Sequence, residues 1–219
     1  MIFYSLPSPD LQAQILAHER WLQSQGRAGR RLVLRQADLH ELDLSGSGLT
    51  DAQLQACNLS RSLLEEAWLE GADLTGSRLE EADLLRAHAA GACFVQASLD
   101  EARLSGADCS RACLRQASLR RLEGISTDFW ASDLREANLS GATLDQANLR
   151  QARLEAANLT GARLKEADLT GARLWRARLQ GAQGLETVRV EWIDIGEDGQ
   201  PQLLHGEQAR RWLLAAASS

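Results

Sequence analysis

The sequence predicts an all-β solenoid, and three observations carry that expectation. Thirty positions, five residues apart from Leu34 to Leu179, hold Leu or Phe everywhere except Ala89, Cys109 and Gly124. Two residues before each lies a second, smaller position, which is Ala in twenty-one of the thirty. Aromatics make up only 5% of the 219 residues, with one Tyr and three Phe, so an ordinary Phe-rich core is not expected. Compositional bias of this kind points to a repeat.

Neither common period explains the pattern. A helix needs apolar residues three and four apart. Steps of five would carry the leucines around every side of a helix. A strand alternates by two, and five is odd. A short bridge followed by a corner every five residues does fit. The Leu and the small residue two before it then point inward, and the other three point outward or form the turn. The segments Ala137-Asn138-Leu139-Ser140-Gly141, Ala157-Asn158-Leu159-Thr160-Gly161 and Ala167-Asp168-Leu169-Thr170-Gly171 show the consensus most clearly.

On those residues the chain resembles the pentapeptide-repeat proteins, whose motif is A-(D/N)-L-x-x. The resemblance covers about residues 32 to 181. It implies a right-handed quadrilateral β-helix with four pentapeptides per coil, about seven to eight coils in all. At a strand spacing of ~4.8 Å the rod would be roughly 36 Å long. Residues twenty apart then stack in columns. Small centres share coils with large ones, Ala89 with Phe94 and Gly124 with Phe129, which keeps the core volume roughly constant. The segment Arg120–Thr127 is the least regular, and a distorted corner or bulge is expected there.

A solenoid has to cover its open ends. Residues 1–31 read as an N-terminal helical cap, with Ser8 as N-cap, Pro9 as first helical residue and Gly26 as stop. Residues 182–219 read as a C-terminal strand-turn-helix cap. Its strand spans Val188 to Ile195, its turn is Glu197-Asp198-Gly199, and its helix runs from Glu207 to Ala216. The resemblance leaves two states open, a monomer or a dimer built through the C-terminal helix. Trp21, Trp192 and Trp212 fall in the caps and are expected to be packed.

Several functions are argued against. The net charge is −6, from 30 acids and 24 bases, of which only Lys165 is lysine; no direct nucleic-acid binding is expected. The opening MIFYSLPSPDLQ has no basic segment followed by a long apolar one, and no stretch approaches 18 apolar residues. Neither a secretory signal nor a membrane span is expected, and the bacterial cytoplasm is the expected compartment. There is no H-E-x-x-H, Walker loop, G-x-S-x-G or C-x-x-C. His18, His40, His88 and His205 are scattered. No enzyme activity, cofactor or metal site is expected. Cys93 and Cys113 take the same outward position on successive coils, within disulfide reach, while Cys57 and Cys109 point elsewhere.

The candidate partner-binding residues are tryptophans and acids. Trp68, Trp130 and Trp175 take outward positions, and Trp68 and Trp130 share a face about three coils apart. Exposed Trp is costly unless it anchors an interface. Alternatively, each lies flat against a neighbouring side chain or a cap. From 31 to 110 the rod carries fourteen acids against six bases; from 111 to 181 it carries eight acids against twelve bases. The acidic half includes Glu65, Glu66, Glu70, Glu80, Glu81, Asp100 and Glu101, a cluster able to mimic phosphates for a basic partner. The first expected function is therefore a protein-binding inhibitor. Its expected form is an immunity protein occluding a bacterial toxin, such as a nuclease effector of a type VI secretion system. The alternative, implied by the resemblance, is a DNA mimic that modulates or protects gyrase or topoisomerase. The arginine-rich half weakens that alternative.

Overall fold

The computed structural model describes residues 4–218. Met1–Phe3, part of the opening segment read for a leader, and Ser219 lie outside the described residues. The body is a quadrilateral coil in which the residue before each central position bridges the one twenty positions on, in parallel. One such column runs Val33, Gln53, Asp73, Cys93, Cys113, Asp133, Arg153, Arg173, Asp194; three more rise on the other sides. Three backbone bonds hold each step, as in Leu64 N–H to Asp83 O (2.7 Å), Glu66 N–H to Leu85 O (2.9 Å) and Asp83 N–H to Ser62 O (2.9 Å). The centres and the small positions are almost all buried, so the interior is filled with Leu and Ala.

The turn chemistry explains the motif residue by residue. After each central Leu the chain turns a corner closed by a bond such as Ala67 N–H to Leu64 O (3.0 Å). The third residue of that corner has positive φ: Glu66 is at +55°, Glu81 at +58° and Gly161 at +67°. Glycine tolerates that conformation freely, which is why it recurs at the fifth place of the motif. The Asp or Asn before the central Leu folds over the same corner. Asp73 Oδ1 accepts from Thr75 N–H (3.0 Å), and Asn158 Oδ1 from Thr160 N–H (3.1 Å). A short acceptor side chain is needed to reach its own backbone two residues on.

No bulge occurs at Arg120–Thr127. Arg121 and Ser126 take ordinary corners, at +54° and +55°, and Gly124 N–H still reaches Thr143 O at 2.8 Å. The irregularity is absorbed by side-chain volume. A Cβ on Gly124 would lie 3.2 Å from Leu122 Cδ2 and 3.2 Å from Leu144 Cδ2. Leu122, standing where Ala is usual, fills the space that a central Leu would occupy. The exchange is therefore within one pentapeptide, as well as across a coil with Phe129.

The register slips elsewhere. Beyond Gln183 the partners lie twenty-one apart, Asp168 with Arg189 and Arg173 with Asp194. The extra residue is accommodated at Gly184 (φ +79°) and a single 3-10 turn, Leu185–Thr187. A Cβ at Gly184 would sit 2.6 Å from Lys165 N, so only glycine fits.

Both ends carry helices. Helix α1, Pro9–Gln23, is capped by the Ser8 hydroxyl, which accepts from Leu11 N–H. Leu11 and Ile15 cover the first coil, joining the cluster of Leu32, Leu39 and Leu44. The helix ends earlier than Gly26: Gln25 (φ +53°) and Gly26 (φ +84°) are both left-handed, and Gly26 N–H closes on Trp21 O (2.8 Å). This is the Schellman arrangement, with Gly26 as the second residue of the reversal. Ser5 adds a bridge to Leu42 that the sequence did not suggest. Buried His18 pins α1 to the coil: its Nε2 meets Thr50 O at 2.8 Å and its Nδ1 accepts from Leu32 N–H at 3.1 Å. At the far end strand β1, Trp192–Asp194, pairs antiparallel with β2, Leu203–His205. The single strand expected over 188–195 is thus shorter and has a partner. Helix α2, Gly206–Ser218, is longer than the expected Glu207–Ala216 and buries Ala209 and Leu213. Among the described residues no helix is long and apolar enough to cross a membrane.

Two outcomes are expected. Leu122→Ala should cost about 2–4 kcal/mol by opening a cavity. Leu122→Ala/Gly124→Leu, which restores the consensus, should recover roughly half of that or more in urea unfolding. Burial holds the His18 imidazole below its ordinary 6.5. The unfolded chain therefore binds the proton first, and stability should fall as pH drops below about 6.5. A shallower decline for His18→Gln in a pH series of melts would check this.

Candidate partner-binding surface

Each corner and each outward column repeats at twenty residues, so charges on successive coils meet. Arg86 of one coil binds Glu66 of the coil before (2.9 Å) and also Glu65. Arg61 lies between Glu41 (3.6 Å) and Glu81 (3.4 Å). Arg120 binds Asp100, Arg121 binds Glu101, and Arg78 meets Glu80 at 3.5 Å. Glu70 instead accepts from the Thr50 hydroxyl at 3.1 Å. Burial works to raise the Asp100 carboxyl, but hydrogen bonds from the Arg120 side chain and Ser118 hold it below its ordinary value. Six of the seven sequence-singled acids are thus paired with an arginine. Such exposed pairs are worth little individually, but they leave much less unbalanced negative charge than the sequence count suggests. Glu80, Glu81, Asp100 and Glu101 share one edge of the rod and Glu65 and Glu66 the next. Glu70 lies on a third.

The tryptophans divide in the same way. Trp130 is partly buried beneath Arg111, whose guanidinium carbon is 4.7 Å from the ring centroid; Trp175 lies under Arg176 at 4.2 Å and Trp21 under Arg31 at 5.8 Å. For Trp130 and Trp175 this matches the bland expectation of a ring flat against a neighbour. Trp68 differs. It is 49% exposed, and its ring stacks on His88, one coil on, with centroids 4.3 Å apart and planes 15° apart.

A second charge network was not legible beforehand. Glu155 is buried and bound by Arg153 and Arg173, both at 3.3 Å. Arg173 also reaches Asp198 on the turn after β1 at 3.0 Å. The signal was present in the column Asp133, Arg153, Arg173, but the reach of Asp198 depends on the slipped register. An open surface cleft beside this network has a volume of about 330 Å³ and is lined by Arg135, Trp175 and Asp198 among others. Among the described residues, no group of three or more His, Cys, Asp or Glu is placed to hold a metal ion. Cys93 and Cys113 are adjacent in one column and both thiols are free. Cys57 donates to Leu34 O at 3.2 Å, and Cys109 lies in the core.

The coil geometry and the corner motif agree with a comparison against known families. A model described as pentapeptide repeats matches in eight copies over residues 47–84, 57–93, 82–121, 125–151 and 147–183. The chain belongs to the pentapeptide-repeat family. The right-handed quadrilateral β-helix is that family's fold. Among solved structures, the chain is similar to HetL from the cyanobacterium Nostoc, a pentapeptide-repeat protein involved in heterocyst differentiation regulation. Identity is 30% over 84% of this chain and 97% of that one, with a TM-score of 0.36. Full-length QnrB1, a plasmid-mediated fluoroquinolone resistance protein, is 18% identical over 73% of this chain and 92% of its own, with a TM-score of 0.40. A pentapeptide-repeat protein of the Arabidopsis thaliana thylakoid lumen is 28% identical over 52% and 66%, with a TM-score of 0.34. No curated protein sequence matches the chain.

Burial pushes the Cys57, Cys109 and Cys113 thiols above their ordinary values, but only Cys57 and Cys109 are shut away from solvent. In the native protein at neutral pH, a colorimetric thiol reagent should therefore find Cys93 and Cys113 alone. All four should react once the coil is unfolded in denaturant.

Proposed function

We propose that this pentapeptide-repeat protein is a non-enzymatic inhibitor that works by binding another protein. In its specific form it is an immunity protein that occludes a cognate bacterial toxin, with a nuclease effector of a type VI secretion system as the foremost candidate. The observation that carries this reading is Trp68, a large aromatic side chain held half-exposed on a rigid backbone ladder. A surface already ordered before contact loses little freedom on binding, and tryptophan is a preferred interface anchor. Glu65, Glu66 and Glu70 lie at the two edges of the Trp68 face, and Glu80, Glu81, Asp100 and Glu101 carry the acidic surface on to the next edge. Trp130 and Trp175 extend the same reading along the rod as stacked, partly buried contacts.

The DNA-mimic alternative has less support. A phosphate mimic presents unpaired negative charge along its length, whereas six of these seven carboxylates are engaged by arginines and the second half of the rod is net basic. The deciding experiment is affinity capture from the native lysate with the tagged full chain, followed by assay of the captured protein. A stoichiometric toxin-like partner whose activity falls when the chain is added back is expected. Recovery of gyrase subunits, or a toxin whose activity the chain leaves untouched, would overturn the reading.

A further inference from the structure

The environment of Trp68 is specific enough to name the chemistry of what docks there, given that the chain binds a protein partner at all. The column that contains it runs Gly48, Trp68, His88, Asp108. The ring stacks nearly parallel on His88 below, so its other face is turned toward the coil above. There the column has no side chain, because the residue is Gly48. One coil of spacing is ~4.8 Å, about the separation at which a planar group stacks on a ring. Gly48 leaves a slot there, part of which the Glu19 side chain of α1 takes.

The walls of the slot are acidic. Glu19 of α1 reaches over Gly48, its Cγ lying 3.1 Å from where a Cβ would stand. Glu70, two residues beyond Trp68, points outward on the adjoining corner and is bound only by the Thr50 hydroxyl. Among the described residues neither carboxylate has an ion-pair partner, unlike Glu65 and Glu66 on the other edge, which Arg86 holds.

The other stacked tryptophans show what such a slot accepts. Trp21, Trp130 and Trp175 each carry an arginine of this same chain over the ring, at 5.8, 4.7 and 4.2 Å. Trp68 has none. We propose that the slot between Trp68 and Gly48 takes an arginine side chain presented by a basic partner protein. The guanidinium would stack on the free face of the indole while Glu19 and Glu70 neutralise it. A planar guanidinium suits this arrangement where an ammonium does not, because it stacks and donates in its own plane at once.

The test follows the indole N–H signals of the 15N-labelled full chain, with Trp68 assigned from Trp68→Phe, during titration with a blocked tetra-arginine peptide and then a blocked tetra-lysine peptide. The Trp68 signal should move saturably with the arginine peptide and much less with the lysine peptide. Glu19→Gln/Glu70→Gln should weaken arginine-peptide affinity by about fivefold. Gly48→Leu fills the slot without removing the ring, and should abolish the shift. An unmoved Trp68 signal, equal shifts from both peptides, or an undiminished shift in Gly48→Leu would overturn the proposal. A captured toxin that binds Gly48→Leu as tightly as the parent would sink the slot and leave the inhibitor reading standing. Arginine-peptide binding with no toxin captured would do the reverse.

Discussion

Everything in this molecule depends on one backbone requirement: every fifth residue must turn a corner with positive φ. Once that corner is taken, the next inward pair is aimed at the axis and the N–H and C=O groups between corners can meet the coil above and below. The motif is that requirement written in side chains. Alanine is small enough to sit beside a buried leucine, aspartate or asparagine folds over the turn, leucine fills the interior, and glycine relieves the strained place. Where Glu, Gln or Arg holds the strained place instead, the cost per corner is modest, and the ladder on both sides enforces it.

This dependence explains what could be read from the sequence. The coil, its columns and the inward set were legible because they repeat thirty times and because only one local conformation satisfies a period of five. Features that occur once were not. The register slip at Gly184 involves a single glycine pressed against Lys165, and nothing nearby marks it. Strand β2 is three residues long and exists only because β1 lies beside it. Arg120–Thr127 misled in the opposite sense: its letters depart from the motif, but Leu122 and Gly124 exchange volume within the same pentapeptide, so the backbone never registers the change.

The candidate surface was legible in position but not in state. Counting charges along the chain gave an acidic half and a basic half. Counting does not see that a residue's strongest electrostatic neighbour lies twenty places away. Glu65 and Arg86 look independent in sequence and are partners in space. The same holds for the tryptophans. Trp130 and Trp175 are sheltered by guanidiniums, whereas Trp68 stacks on His88 and stands half-exposed beside Gly48. In a solenoid, then, a functional residue is better sought by comparing columns than by scanning segments.

The twenty-residue column has a further consequence, for how such a chain can change length. Removing or duplicating one pentapeptide leaves the corner chemistry intact but turns everything beyond it by a quarter of the rod's circumference. Trp68 and His88 would still fold, but on different sides of the rod from their former neighbours. Only a whole coil can be gained or lost while every surface keeps its facing. Beyond Gln183 even that freedom ends, because the slipped register and β1–β2 no longer present the twenty-residue repeat on which another coil could stack. For a protein that acts through a facing, inheritance therefore proceeds in units of one full coil, inserted upstream of a fixed end.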